Sequence, residues 1–243
     1  KGEGYLLGVP TTSKGATFKT MLVAHMDTVH EVQPKKFIYT STGVTSSQGI
    51  GGDDRCGVYA ILEVIRTHKP IVLFTEDEEI GCVGANKFLE TEYAEIIKGN
   101  LLYIIELDRR GTDDAVFYDC GNEDFVKFVT EDEYFKKAYG SCSDISYLAP
   151  TLDCAAVNFS VGYFSEHTLK EWVDLETLAW TIERVKLILD KPVEDKFDWI
   201  EAPRKYSYKY KSFYWDDCNW YDDYYENDGE HKTEDINGVE FAY

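Results

Sequence analysis

The sequence predicts a three-layer α/β domain in which a mixed, mostly parallel sheet is flanked by helices. Three apolar runs, at 71–74, 101–107 and 154–161, have the length and composition of buried strands. Two stretches, 55–67 and 174–190, carry apolar residues at helical spacing. Strands and helices that alternate along a chain are typical of an open α/β sheet.

Shorter elements complete this predicted domain. The additional strands are expected at 5–8, 18–24, 37–40 and 115–118, and the additional helices at 83–92, 122–130, partly at 131–139, and from 143 to 148. The polar stretch 41–48 is expected to be flexible. Ser143 and Asp144 are expected to cap the short helix that follows them.

The composition divides the chain near residue 196. Residues 1–195 are expected to form one catalytic domain, which fits the total length of 243 residues. Residues 196–243 are dense in Tyr, Trp, Asp and Glu, whereas disordered tails are normally poor in aromatic residues. We therefore predict a C-terminal appendage that docks on the domain or on a neighbouring chain, where it could support a homo-oligomer. A loose acidic tail is the alternative.

The charge and the cysteines limit the classes of partner and compartment. A formal net charge of −20 argues against nucleic-acid and anionic-membrane partners and fits a cation-binding protein. The six cysteines form no CxxC pair, so we expect free buried thiols in a reducing compartment. There is no apolar run of transmembrane length, and Lys1 to Gly4 do not resemble a signal peptide. A cytoplasmic location is the expectation.

An acidic turn follows the strand at 71–74. Four carboxylates, from Glu76 to Glu79, crowd into this turn. Like charges at the mouth of a sheet are destabilising unless a cation binds there, and ligands of open α/β sheets bind beyond the carboxyl ends of the strands. The acidic turn therefore indicates a divalent metal, with a solvated acidic turn as the alternative.

Other predicted strand ends carry side chains of the same kind. His25 and Asp27 are two residues apart, so they point to the same side of an extended backbone. A glycine-rich loop precedes a helix at Asp53-Asp54, where one aspartate is expected to cap the helix and the other is free for a ligand. Asp108 and His167 follow two further strands. This set of nitrogen and oxygen donors suits zinc, with manganese or cobalt as alternatives.

Taken in chain order, these motifs resemble the dinuclear zinc peptidase clan of peptidase T, the aminoacylases and succinyl-diaminopimelate desuccinylase. The matching pieces are His25-Met26-Asp27-Thr28-Val29, Gly52-Asp53-Asp54-Arg55-Cys56-Gly57, Asp77-Glu78-Glu79-Ile80-Gly81, Asp108 after a strand, and the segment from His167 to Glu171. Five motifs in the same order are a specific signal, although each one alone is weak.

The resemblance implies a site with two zinc ions. The implied metal ligands are a bridging Asp53, His25 and Asp108 on one ion, and Glu79 and His167 on the other. Asp27 would orient His25. Glu78 would be the general base, because a carboxylate that gives its lone pairs to a metal cannot also carry the proton.

The chain also departs from this clan. Only 58 residues separate Asp108 from His167, which leaves no room for the lid domain of roughly a hundred residues that typical members insert between these motifs. The resemblance therefore implies a bare catalytic domain. Without a lid, Arg109 and Arg110 are the nearest basic candidates for binding a substrate carboxylate, with a structural ion pair as the alternative.

The predicted function is hydrolysis of an amide bond in a small peptide or an N-acyl amino acid. One alternative is a lidless zinc aminopeptidase, and another is a non-catalytic interaction protein that retains the fold. His30, His68 and His231 are expected to be exposed rather than to bind metal.

Overall fold

The computed structural model describes residues 4–10, 20–203, 233–236 and 239–242. The strands are β1 (Tyr5–Gly8), β2 (Thr20–His25), β3 (Ile38–Tyr39), β4 (Gly43–Thr45), β5 (Ile71–Thr75), β6 (Tyr103–Arg109), β7 (Asp114–Val116), β8 (Lys136–Ala138), β9 (Ala156–Ser160), β10 (Tyr163–Phe164), β11 (Trp172–Asp174), β12 (Thr233–Ile236) and β13 (Val239–Ala242). The helices are α1 (Gly52–Val64), α2 (Val83–Leu89), α3 (Glu92–Lys98), α4 (Glu123–Thr130), α5 (Ile145–Thr151) and α6 (Leu175–Leu189).

The main sheet has seven strands in the order β1-β5-β2-β6-β9-β7-β8. Its centre, β5-β2-β6-β9, is parallel, whereas β1 and β7 run antiparallel to their neighbours β5 and β9. The predicted mixed, mostly parallel sheet is therefore confirmed. Because the central strands are parallel, their carboxyl ends meet at one edge of the sheet, where ligands of such folds bind.

Helices cover both faces of this sheet, and each face has its own core. Leu22 and Val72 point to the face covered by α1, α4 and α6, while Met21 and Ile71 point to the face covered by α2, α3 and α5. Central strands that are buried on both faces read as continuous apolar runs, which is why the sequence marked them clearly. The result is the predicted three-layer arrangement.

A second, four-stranded antiparallel sheet has the order β10-β11-β4-β3. The stretch 41–48 was expected to be flexible, but β4 lies inside it and pairs with β11. That prediction is wrong because strands of two or three residues are too short to display an alternating pattern. This small sheet anchors the segment between β10 and β11, which carries His167.

Two predicted helices also differ from the structure. The stretch 83–92 ends as α2 at Leu89, and a second helix, α3, starts after Thr91, whose backbone is extended. The stretch 131–139 was expected to be partly helical, but it contains β8, which pairs with β7. Glu, Lys and Ala favour helices locally, and here pairing with a neighbouring strand overrides that preference.

The described residues at the start of the C-terminal region, up to 203, form two backbone hydrogen bonds with the loop after β7. The amide of Gly121 donates to Ile200 and the amide of Ala202 donates to Asp119. Further on, β12 and β13 pair with each other. Residues 204–232 lie outside the described residues, and docking of the appendage 196–243 stays a prediction.

The described cysteines carry free thiols, as expected. None of the helices in the described ranges is long and apolar enough to cross a membrane.

Candidate metal centre

His25, the last residue of β2, lies at the centre of the site. Its side chain is buried, and its Nε2 is 3.0 Å from Oδ1 of Asp53 and 3.4 Å from Oδ1 of Asp108. Its other ring nitrogen, Nδ1, is 3.3 Å from Oδ1 of Asp27 but is not aligned for a hydrogen bond. The Nδ1 atom of the imidazole therefore faces one carboxylate, and the Nε2 atom faces two.

The two adjacent aspartates at the start of α1 have different hydrogen-bond partners. Asp54 is fully buried, and its carboxylate accepts the backbone N–H groups of Gly57 (2.9 Å) and His25 (3.2 Å). Asp53 makes no such cap and turns its carboxylate toward the histidines. Asp53 and Asp54 have non-helical backbone angles, so the regular turns of α1 begin after them, and capping by one of the two aspartates is confirmed.

Gly57 allows α1 to press against the end of β6. A Cβ atom at this position would lie 1.7 Å from the backbone oxygen of Leu107, which no side chain can tolerate. The close contact brings the start of the helix, and with it Asp53, next to Asp108.

Asp53 lies between the two imidazole rings. Its Oδ1 faces His25, as described above, and its Oδ2 is 3.2 Å from Nε2 of His167. The same nitrogen of His167 is 2.9 Å from Oε2 of Glu79. His25, Asp53, Asp108, Glu79 and His167 thus form one continuous cluster, built from residues that are up to 142 positions apart.

Asp27 connects His25 to the acidic turn. Its two carboxylate oxygens accept the backbone N–H groups of Glu78 and Glu79, each at 3.2 Å. The carboxylate that faces the Nδ1 atom of His25 therefore also holds the turn that carries the two glutamates.

The side chain of Glu78 lines a cleft of about 140 Å³ that is open to the same cluster. Burial raises the pKa of Glu78 to about 9, and the nearby charge of Asp108 acts in the same direction. Burial also raises the pKa of Asp108 to about 7, although His25 opposes the shift. Both shifts have the same physical cause, which is negative charge gathered in a poorly solvated place.

The same group of carboxylates also raises the pKa values of the two histidines. Hydrogen bonds to Asp53 and Glu79 raise the pKa of His167 to about 11. Burial by itself would lower the pKa of His25, but Asp108, Asp27 and Asp53 raise it well above its ordinary value. The carboxylates therefore favour the protonated, positively charged forms of both imidazoles.

The donor atoms fit a divalent metal. His25 forms two groups of closely spaced donors, one with Asp53 and Glu79 and one with Asp54 and Asp108. The oxygens of Asp54 already accept two backbone N–H groups, so Asp108 is the better donor of the second group. Oε1 of Glu79 is buried and has no hydrogen-bond partner among the described residues, which fits a carboxylate that can bind a cation.

Arg109 and Arg110 also line the cleft, and both are engaged in ion pairs. Nε of Arg109 is 3.3 Å from Oδ2 of Asp114, and Nη1 of Arg110 is 2.5 Å from Oε1 of Glu166. These contacts favour the structural alternative for both arginines, and binding of a substrate carboxylate stays a prediction.

Two local interpretations of the sequence are corrected by long-range contacts. His30 was expected to be exposed, but its side chain is only 8% exposed and its Nε2 is 3.0 Å from Oε2 of Glu171. Asp144 precedes α5 but makes no side-chain cap, because its own backbone is helical rather than extended, and one oxygen of its carboxylate accepts a hydrogen bond from the hydroxyl of Thr75. Ser143 likewise donates to the buried Glu106. His68 is close to Asp190, and His231 lies outside the described residues.

Comparison with known proteins places this chain in a family. The model of peptidase family M28 matches residues 9–149. None of the curated proteins matches the sequence significantly.

Two solved structures share the fold. Aminopeptidase PepT from Bacillus cereus ATCC 10987 superposes with a TM-score of 0.61 at 17% identity, over 76% of this chain and 83% of that chain. A tripeptidase from Staphylococcus aureus subsp. aureus Mu50 superposes with a TM-score of 0.57 at 14% identity, over 77% and 84%. At these identities the likeness concerns the fold.

Proposed function

The chain belongs to peptidase family M28, and we propose that it hydrolyses an amide bond of a small peptide or an N-acyl amino acid at a site that holds two zinc ions. The observation that carries this proposal is the carboxylate of Asp53, whose two oxygens face the Nε2 atoms of two different histidines. A carboxylate in that position can serve two metal ions at once.

The proposed ligands follow from the contacts around Asp53. Asp53 would be shared, His25 and Asp108 would complete one site, and Glu79 and His167 would complete the other. These nitrogen and oxygen donors suit zinc, with manganese or cobalt as alternatives. When bound, the ions would supply Lewis acidity that lowers the pKa of a water and polarises a carbonyl group.

Glu78 is the proposed proton carrier. It lines the cleft beside the cluster, but it makes none of the contacts between carboxylates and imidazoles that mark the proposed ligands. With the cations bound, their charge would lower the raised pKa of Glu78 and leave it ionised, so that it would take a proton from the attacking water and deliver it to the leaving amine. Asp27 would hold the turn that presents Glu78, because its oxygens bind that turn, and it would orient His25 through the charge that it places 3.3 Å from Nδ1.

The cleft supports a small substrate. Its volume of about 140 Å³ is below the roughly 300–1,000 Å³ of pockets that enclose drug-sized ligands. A cleft of this size can hold one residue of a substrate beside the candidate metal ligands. A lidless aminopeptidase is the second candidate, since the acids that line the cleft could bind the ammonium of a free peptide N-terminus.

A substrate screen tests the proposal and separates the two candidates. The zinc-loaded protein is incubated with tripeptides, aminoacyl anilides and N-acetylated amino acids, and the release of amine is measured. Cleavage that is abolished by a chelator and restored by zinc is expected for at least one class. No cleavage of any class by protein that holds its metal would overturn the proposed hydrolysis.

Zinc binding is expected to release protons and to strengthen as pH rises. In the metal-free site the pKa of His167 is about 11, so its imidazole is protonated near neutral pH, whereas a zinc ligand must be neutral. For each proton that is released on binding, the apparent zinc affinity rises about tenfold when the pH increases by one unit, as long as the pH stays below that pKa. Calorimetry at pH 6, 7 and 8, in buffers of different ionisation enthalpy, measures both quantities. A pH-independent affinity without proton release would contradict the expectation.

A further inference from the structure

Glu171 is a fully buried carboxylate next to the loop that carries Asp53. Its Oε1 accepts the backbone N–H of Asp53 at 2.9 Å, and its Oε2 accepts the backbone N–H of Gly51 at 2.8 Å. Nε2 of His30 lies 3.0 Å from the same Oε2 atom. Three donors from the early part of the chain thus converge on one late residue, 118 to 141 positions away.

These contacts are substantial because the acceptor is a buried carboxylate. Hydrogen bonds to charged groups are shorter and stronger than neutral ones, and a buried carboxylate is costly unless several donors satisfy it. Both of its oxygens are engaged, and both bind backbone N–H groups of the Asp53 loop. The carboxylate therefore fixes the path of that loop rather than one side chain.

Glu171 is itself firmly placed. Its backbone oxygen accepts the hydroxyl of Thr45 at 2.6 Å, and β11 begins at the next residue and pairs with β4. His167 lies four residues earlier in the same segment. Glu171 therefore links the segment that carries His167 to the loop that carries Asp53.

The packing around this link leaves little freedom. A Cβ atom on Gly49 would lie 2.3 Å from Nδ1 of His30, and one on Gly52 would lie 2.8 Å from Cβ of Tyr163 and 3.2 Å from Oε1 of Glu171. Glycine at these two positions lets the loop pack closely against the His30 imidazole, against Tyr163 and next to the carboxylate.

We propose that Glu171 is a positioning residue for the metal centre, which sets the orientation of Asp53 relative to His167 by binding the Asp53 loop, with His30 as its third donor. Glu171 touches the loop and not the carboxylate of Asp53, so it acts through that residue. This role rests on the proposed function, since it concerns the presentation of a shared metal ligand.

Substitution of Glu171 by Gln tests the role with little change of shape. A Gln side chain keeps one acceptor oxygen, so one of the two loop contacts is lost and an NH₂ group faces a backbone N–H. Loss of a partner that orients a metal ligand typically lowers metal affinity roughly 10–100-fold. We expect this loss of zinc affinity for Glu171→Gln, a larger loss for Glu171→Ala, and a smaller one for His30→Gln, which leaves both loop contacts in place.

The readouts separate positioning from general destabilisation. Hydrogen exchange of the Gly51 and Asp53 amides, measured in the metal-free protein, is expected to accelerate in Glu171→Gln. In the zinc-saturated variant, kcat is expected to fall more than KM changes, because the substrate cleft is not touched. Glu176→Gln, in the first turn of α6, is the matched control and should behave as wild type. Should Glu171→Ala fail to fold, Glu171→Gln still provides every readout.

The outcomes distinguish this inference from the function on which it rests. Wild-type protein that binds no zinc would overturn the proposed metal centre and the positioning role with it. Wild-type protein that binds zinc, together with Glu171 variants that bind it equally well, would overturn the positioning role alone.

Discussion

Replacing Glu78 by Gln is expected to lower kcat by roughly 10²–10⁴-fold, the usual contribution of a general acid–base group, while the zinc content stays at the wild-type level. The amide has the shape of the carboxylate but cannot take up a proton. The backbone N–H of Glu78 is bound by Asp27, so the turn should keep its conformation in the variant.

The control for this experiment lies in the same turn. Glu76 does not line the cleft, and Glu76→Gln makes the same substitution in the same acidic run. Steady-state kinetics on one substrate and elemental analysis of both variants are the measurements. If Glu78→Gln retains more than about a tenth of the wild-type kcat, which is above the range for such a group, Glu78 is not the proton carrier.

Replacing Asp53 by Asn is expected to remove both tightly bound zinc ions and to abolish turnover. Asp53 faces His25 through one oxygen and His167 through the other, and an amide offers only one acceptor oxygen to this pair. The loss of zinc affinity should exceed the roughly 10–100-fold that follows removal of a residue that only orients a ligand.

Competition with a zinc chelator of known affinity measures this loss, and turnover at saturating zinc measures its consequence. Asp119→Asn, at an exposed site near the end of β7, is the matched control and should leave both quantities unchanged. An Asp53→Asn protein that binds two zinc ions with wild-type affinity would show that the two ions do not share this carboxylate.

The parts of the fold that the sequence predicted are those with a strong local pattern. The strands β2, β5, β6 and β9 are buried on both faces and appear as apolar runs. Their carboxyl ends meet at one edge of the sheet, so the sequence alone indicates that the acids and histidines that follow them lie close together. The ordered motifs then supplied the expected role of each residue.

The parts that the sequence did not predict depend on distant partners or very short strands. The contact between His30 and Glu171 joins residues 141 positions apart, and nothing near His30 indicates its partner. Asp144 satisfies the local rule for a helix cap, but its backbone is helical and its carboxylate contacts Thr75, which is 69 positions away. A strand was expected at 37–40, where β3 lies, but the rest of the small sheet was missed because β4, β10 and β11 are too short for periodicity to be visible.

The most direct test of the central claim is the zinc content of the wild-type protein. The chain is equilibrated with a slight excess of zinc, freed from loose metal by gel filtration, and measured by elemental analysis against its protein concentration. Two ions that share Asp53 predict about two zinc ions per chain. A content of one ion or fewer per chain, with the protein folded and zinc in excess, would contradict the dinuclear site.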